Sequence, residues 1–461
     1  MKVLLTHGYF LKEDAKEQQI MRPYPPLGIL YISAFLKEKN INVSVYDTTF
    51  KSVDEFKTHI YELKPEVIAF YVNLMTKLQV IQLTKWIKGE KELHHIKIIY
   101  GGPDITHNTV DYLKVGASAV VIGEGEETMY ELVQSFEENK SLEAVDGIAF
   151  LNEQGIEVKT NARIKIKEID NLPFPDRSAI DLNQYINTWK QFHGEGMISI
   201  STQRGCPYTC KWCSTAVYGQ SYRRRSPHLV VEELEQLLAT YPCNTFWFVD
   251  DVFTVSHKWL EEFTLLVEEK KLKIRYECIS RADRMNEKVI ELLKRSGCFK
   301  IWIGAESGSQ KIIDAMDRRV DVMKVRSIIQ QTQAQGILAG TFIMLGYPGE
   351  TKQDIHETIT HLKEANPHHF TITIAYPIKG TSLYNEIENE QMHTLDWEST
   401  TDRDRDFKRI YPRRFYEIAV RRVVNEVQFY QLKIQRKHFS KNGLKKWFNY
   451  TAAKWMMKTY K

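Results

Sequence analysis

Across 461 residues the chain has only six cysteines, and three of them, Cys206, Cys210 and Cys213, are clustered. So few thiols in so long a chain do not make a disulfide framework, and the pattern points to a reducing compartment. No apolar run approaches the roughly 18 residues of a membrane span. The start, Met1 to His7, reads as a strand, because no basic region, apolar core and small-residue cleavage site follow in order. The expected setting is therefore the cytoplasm. G-x-G-x-x-G does not occur, which disfavours a bound dinucleotide. Internal repeats, low-complexity runs and recognised nucleic-acid reader modules are also missing, so no nucleic-acid partner is expected.

What is present is an ordinary globular composition, 43% hydrophobic and 26% charged, long enough for two or three domains. Charge is unevenly spread. From Phe407 to Lys461 fifteen Lys and Arg face only Glu417 and Glu426, which makes that stretch +13 in a chain of net +4, so the rest is −9. An acidic body with a basic tail suggests an anionic surface or partner, although solvated helix faces give the same pattern.

In the first 140 residues, short runs rich in Val and Ile predict strands at Val3–Thr6, Val43–Tyr46, Val67–Tyr71, Ile96–Tyr100 and Ala119–Ile122. Apolar residues three and four apart predict helices at Leu27–Lys39, Val53–Leu63, Gln79–Lys88 and Thr128–Asn139. Strand and helix in alternation mean a parallel, doubly wound sheet, whose ligands sit beyond the strand carboxyl ends. Gly101-Gly102-Pro103 and Gly123-Glu124-Gly125-Glu126 fall there. A hairpin at Gly147–Leu151 and Ile156–Thr160, followed by the proline-bearing strap Leu172-Pro173-Phe174-Pro175-Asp176-Arg177, reads as a linker over residues 141–195.

From Met197 the alternation resumes. Strands are expected at Met197–Ser201, Thr245–Val249, Arg275–Ile279, Lys300–Ile303, Thr341–Leu345 and Thr371–Ala375, with helices between them. Leaving the first of these strands is Q-R-G-C-P-Y-T-C-K-W-C, Gln203 to Cys213. Three thiols at C-x3-C-x2-C spacing can hold one corner of an iron–sulfur cube and leave its fourth iron without a protein ligand. A zinc site would need a fourth ligand, and Cys243 stands far downstream with no C-x2-C partner and no H-x3-H pair; Cys243, Cys278 and Cys298 read as small buried residues.

The cysteine loop resembles that of the radical S-adenosylmethionine (SAM) enzymes, C-x3-C-x-aromatic-C, at every defined position. Y-G-G-P-D-I-T and V-V-I-G-E-G-E-E-T, with Pro25-Pro26-Leu27-Gly28, resemble the cobalamin-binding domain that precedes the radical SAM domain in one large subgroup. The resemblance implies a 4Fe-4S cluster on Cys206, Cys210 and Cys213, with SAM on its open iron. It also implies cobalamin at Leu27, Gly102, Pro103, Gly123 and Gly125, and an electron donor such as flavodoxin or ferredoxin. By the same resemblance, Glu306 and Ser307 match the ribose contacts of SAM, Arg281 its carboxylate partner, Asp250 the methionine site, and the backbone of Trp212 the adenine contact. One departure is that the D-x-H-x-x-G motif supplying a lower cobalt ligand elsewhere is absent, leaving His7 and His107 as candidates on sequence alone.

The expected fold is thus α/β: a flavodoxin-like, Rossmann-like domain over 1–140, a partial (β/α)6 barrel of TIM type over 196–385, and a helical basic region over 386–461. Asp250, Arg281, Glu306 and Gly346 to Glu350 all fall just beyond successive barrel strands, where barrel sites lie. The expected reaction is reductive SAM cleavage with methylation of an unactivated carbon of a largely apolar substrate. The alternatives are a non-methylating radical rearrangement or oxidative cyclisation, and a catalytically silent cobalamin sensor. The amphipathic tail reads either as a helical cap on the barrel or as a peripheral membrane contact.

Overall fold

The structure is a computed structural model that describes residues 1–388 and 395–460. Part of the tail expected over 386–461, namely residues 389–394 and 461, lies outside the described residues.

The first sheet is built from β1 (Lys2–His7), β2 (Asn42–Tyr46), β3 (Val67–Tyr71), β4 (Lys97–Gly101), β5 (Ala119–Val121), β6 (Ile148–Leu151) and β7 (Glu157–Lys159), in the order β2-β1-β3-β4-β5-β6-β7. β1 to β5 are parallel, while β6 and β7 run antiparallel. Helices α1 (Ala15–Ile20), α2 (Leu27–Glu38), α3 (Val53–Leu63), α4 (Lys77–Gly89), α5 (Thr109–Val115) and α6 (Glu126–Glu137) connect them. Strand residues alternate between two buried cores. Leu4, Ile68, Phe70, Ile98 and Tyr100 enter one, and Val3, Leu5, Val67, Ile99 and Ala119 enter the other. A parallel sheet covered on both faces produces such continuous apolar runs.

The hairpin expected in the linker is present, and it extends this sheet, β6 pairing with β5. The strap is held by ions rather than by regular structure. Asp176 accepts from Ser33 Oγ at 2.7 Å and pairs with Lys37 at 2.6 Å, both on α2. Arg177 donates to Ser199 O and to Glu233, each at 2.8 Å. Helix α7 (Leu182–His193) follows, buries Leu182, Tyr185, Ile186 and Trp189, and donates from Trp189 Nε1 to Pro23 O at 2.7 Å.

The second sheet contains β8 (Ile198–Ile200), β11 (Thr245–Phe248), β12 (Arg275–Ser280), β13 (Cys298–Glu306), β14 (Leu338–Leu345) and β15 (His369–Ile374), in the order β15-β14-β13-β12-β11-β8. Two short strands, β9 (Gln203–Arg204) and β10 (Arg223–Arg224), form a separate antiparallel ribbon. Helices α8 (Pro227–Thr240), α9 (His257–Glu269), α10 (Glu287–Arg295), α11 (Gln310–Ala315), α12 (Val322–Ala334) and α13 (Lys352–Ala365) fall between these strands, and α14 (Ser382–Glu388), α15 (Arg413–Ile434) and α16 (Lys441–Lys458) follow. Cys243, Cys278 and Cys298 are buried, as expected.

By contact the chain divides into two compact units. The first comprises Met1–Pro207, Ser214–Trp247 and Leu395–Thr401, and the second Tyr208–Cys213, Phe248–Thr394 and Asp402–Lys461. In the first unit, Trp397 sits edge-on to Tyr112 with ring centroids 4.6 Å apart, and Lys77 lies 4.1 Å above its ring while donating to Thr400 O.

Candidate functional site

In the first unit the glycine turns stand at the carboxyl ends of β4 and β5. Gly102 has φ +113°, and a Cβ there would lie 2.4 Å from Val72 O, so only glycine permits this crossing of backbones. Pro103 follows half-buried, and Leu27 opens α2 half-buried beside the exposed Gly28. Gly123 also has positive φ, at +90°, whereas the missing side chain of Gly125 makes room for Ile32, whose Cδ1 would be 2.8 Å from a Cβ. Gly28, Gly102 and Gly123 thus leave accessible backbone without side chains at this edge, a cradle suited to a large planar ligand.

Glu124 and Glu126, between and after those glycines, are buried and face cations. Arg204 donates to Glu124 Oε1 at 3.1 Å and also contacts Glu126, while Arg223 Nη1 lies 2.8 Å from both Glu124 oxygens. The backbone N–H of Ile166 also donates to Glu124, at 2.9 Å. Burial pushes the Glu124 carboxyl up, but the bonds from Arg223, the Arg204 charge and the Ile166 amide outweigh it and hold the pKa below the usual value. Arg204 itself lies between the rings of Tyr31 and Tyr218, at 5.6 and 5.4 Å.

His7 is buried with both ring nitrogens engaged. Nε2 pairs with Asp47 at 3.0 Å, while Nδ1 accepts from Tyr9 N at 3.1 Å and faces Thr48 Oγ1 at 3.0 Å. Of the two histidines considered as cobalt ligands, His7 is therefore a core hydrogen-bonding residue. His107 is exposed at the end of a single 3-10 turn.

In the second unit, side chains from two places converge on one thiol. Cys210 Sγ accepts from Arg281 Nη1 at 3.4 Å and from Arg318 Nη1 at 3.6 Å. Arg281 follows β12, donates from Nη2 to Arg318 O at 2.7 Å, pairs with Asp283 at 2.9 Å, and lies 3.9 Å over the Tyr208 ring. Arg318 donates to Gly304 O at 3.0 Å, is 3.6 Å from Glu306, and lies 5.7 Å over Trp212. Two guanidinium groups facing one sulfur supply the positive surroundings that a metal-bound thiolate suits.

Glu306 ends β13 at a register shift and has φ +65°, an unfavourable conformation for a residue with a side chain. Burial raises its carboxyl above the ordinary value, with Arg318 and Arg281 opposing that rise. Ser307, expected beside it at ribose, sets its hydroxyl against Thr358. It is fully buried, 3.2 Å from Thr358 Oγ1, and accepts from Ser309 N at 3.1 Å. Asp250 is buried after β11. Trp212 packs against a buried cluster that includes Ile312, Met316, Tyr347 and Leu383, and the neighbouring Lys211 is tied by its N–H to Met316 O and by its carbonyl to Leu383 N.

Strand alternation puts Trp302 on the face of Gly304, and a Cβ on Gly304 would lie 2.7 Å from Glu306 Oε1, so Glu306 shares that face despite the register shift. Trp302 stacks on Phe342 at 5.0 Å and donates to Glu277, which pairs with Lys300 at 2.9 Å. An aromatic layer therefore lies beneath the charged one.

Cys206 and Cys210 are half-buried and Cys213 is exposed. Among the described residues no group of three or more His, Cys, Asp or Glu side chains is gathered as a metal site. Reading the sequence missed Arg318, Arg204, Glu124 and Glu126. Arg318 stands in M-D-R-R, twelve residues beyond Glu306 and beyond any strand end, so the rule used to find the other residues could not reach it.

Comparison with known proteins agrees with these features. Residues 200–362 match the Radical SAM superfamily, and residues 20–133 match the B12 binding domain. An uncharacterized methyltransferase of Pyrococcus horikoshii is 27% identical over 88% of this chain and 87% of its own. The anaerobic magnesium-protoporphyrin IX monomethyl ester cyclase of Rubrivivax gelatinosus is 24% identical over 86% of this chain and 72% of its own. Among solved structures, the radical S-adenosylmethionine methyltransferase TsrM of Kitasatospora setae, with cobalamin and a 4Fe-4S cluster bound, superposes with a TM-score of 0.70 at 17% identity, covering 86% of this chain and 78% of that one.

Proposed function

The chain belongs to the B12-binding radical SAM enzymes, and on that premise we propose that it methylates an unactivated carbon of a largely apolar small molecule. Its cofactors are a 4Fe-4S cluster, SAM and cobalamin, which together supply reductive cleavage of a sulfonium to a carbon radical and a transferable methyl group. An external electron donor of the flavodoxin or ferredoxin kind completes the set.

Within this reading Cys206, Cys210 and Cys213 hold the cluster. Arg281 and Arg318 balance the charge at Cys210 and offer cations to the SAM carboxylate. Glu306, the carboxylate beside Arg318, takes the polar edge of SAM, and Trp212 walls the loop on the side of Tyr347 and Leu383. Gly102, Pro103, Gly123, Gly125 and Leu27 carry cobalamin. The apolar substrate follows from one observation: the face that carries Glu306 is lined next by the stacked Trp302 and Phe342, which exclude water and attract flat or aliphatic carbon.

Cyclisation is the second reading, favoured by the Rubrivivax gelatinosus relative. Product analysis separates the two. Anaerobic, fully loaded enzyme given methyl-deuterated SAM, reductant and an apolar extract should place deuterium in one product, with S-adenosylhomocysteine and 5′-deoxyadenosine formed in equal amounts. Deoxyadenosine and methionine alone, accompanying an unlabelled product, would exclude methyl transfer.

A further inference from the structure

Helix α16 presents two unlike faces. One lies on α15, where Asn449 accepts from Arg421 at 3.1 Å, Tyr450 meets Phe429 at 5.6 Å between ring centroids, and Gly443, Ala453 and Met457 are buried. The opposite face carries Leu444, Phe448 and Trp455, spaced so that about 3.6 residues per turn align them in one stripe. These side chains are 53%, 65% and 68% exposed, and Phe439 just before the helix is 80% exposed. Soluble surfaces scatter large apolar residues singly, so an aligned stripe of this kind marks a binding surface.

Its surroundings identify the partner. Lys441 and Lys445 flank the stripe on one side and Lys454 and Lys458 on the other. From Val427 to Lys461 the chain has nine Lys and Arg and no Asp or Glu. A protein partner would require no such uniform charge, and a nucleic acid would leave the aliphatic and indole groups in water. An anionic bilayer answers both, since the stripe enters the acyl boundary while lysines extend to headgroup phosphates and indole sits at the interface. No helix among the described residues is long and apolar enough to cross a membrane, so the mode is lying on the surface. We propose that α16 docks this enzyme on the surface of an anionic lipid bilayer through Leu444, Phe448 and Trp455, with the flanking lysines on the headgroups. The proposal stands whichever reaction the cofactors support.

The test uses the full-length, anaerobically reconstituted enzyme, co-sedimented with vesicles of phosphatidylcholine alone or mixed equally with phosphatidylglycerol. Retention on the mixed vesicles should be at least tenfold stronger than on the neutral ones and should fall steeply with salt. The triple variant Leu444→Ser, Phe448→Ser, Trp455→Ser, checked for unchanged helicity, should bind at least tenfold more weakly. So should Lys445→Glu, Lys454→Glu, Lys458→Glu. Equal retention on both vesicles, no retention, or a triple variant that binds like the wild type overturns the proposal. So does sedimentation velocity showing that the stripe pairs two copies of the chain while vesicles are ignored.

Discussion

Arg204 places its guanidinium 3.1 Å from the carboxylate of Glu124, eighty positions earlier in the chain, and both are buried. The residue two before the first cysteine of the loop is thereby fixed to the G-E-G-E turn. Removing Arg204 would leave Glu126 without its contact and Glu124 with only Arg223 and the Ile166 amide. Arg204→Ala should therefore lower stability by about 3–5 kcal/mol, measured by chemical denaturation. Arg204→Lys keeps the charge but not the fork, and a loss of about 2 kcal/mol is expected for one charged hydrogen bond. An unchanged midpoint in Arg204→Ala would show that the ion group has no stabilising role.

Replacing Cys206, Cys210 and Cys213 with Ala should abolish the brown chromophore and all SAM cleavage. The corresponding triple change at the buried Cys243, Cys278 and Cys298 should leave iron content unchanged. Iron and sulfide assays on anaerobically purified protein decide it, and full iron in the first variant would move the cluster elsewhere.

Arg318→Met should slow reductive SAM cleavage at least tenfold, because it removes a cation from both Cys210 and Glu306. Glu306 would then face a single guanidinium in a buried site. In a double-mutant cycle, Glu306→Gln should recover part of the lost stability, with a coupling of about 1–2 kcal/mol. Strict additivity would mean that the two side chains do not interact.

Glu350 and His361 give opposite pH dependences. Burial raises the Glu350 carboxyl to about 8, with only the Gly346 amide bonded to one oxygen. Native protein therefore holds this proton more tightly than unfolded chain, and stability falls as pH rises from the unfolded value toward 8. Burial lowers His361 to about 4, so stability is lost as pH falls from the unfolded value, near 6.5, toward 4. Where these windows overlap the slopes cancel. Above pH 6.5 the carboxyl acts alone, and about 2 kcal/mol should disappear by pH 8. Urea titrations across that range should show the decline in wild type and its absence in Glu350→Gln. The same slope in both would assign it to other groups.

Much of this architecture was readable in the residues. Strands buried on both faces leave Val- and Ile-rich runs, and the helix Val53–Leu63 coincides with its periodic pattern. Ala15–Ile20 was not legible because none of its residues is buried, so it has no apolar stripe. Leu182–His193 has the stripe, in Leu182, Tyr185, Ile186 and Trp189, but the preceding prolines had suggested a linker. At the site, position beyond a strand end found Arg281 and Glu306. It could not find Arg318 or Arg204, whose roles depend on partners far away in sequence, and it gave no sign that Ser307 turns toward Thr358.

Trp397, although it follows the last strand of the second sheet, packs on Tyr112 and Lys77 of the first unit. That unit is therefore assembled from stretches interrupted by the other in the gene, and no single break in the reading frame separates them. Inheritance as two consecutive cassettes would leave the α4–α5 surface without its indole and Lys77 without its carbonyl partner at Thr400. Exchange of the cobalamin-binding unit between relatives is expected to require the 395–401 segment to travel with it.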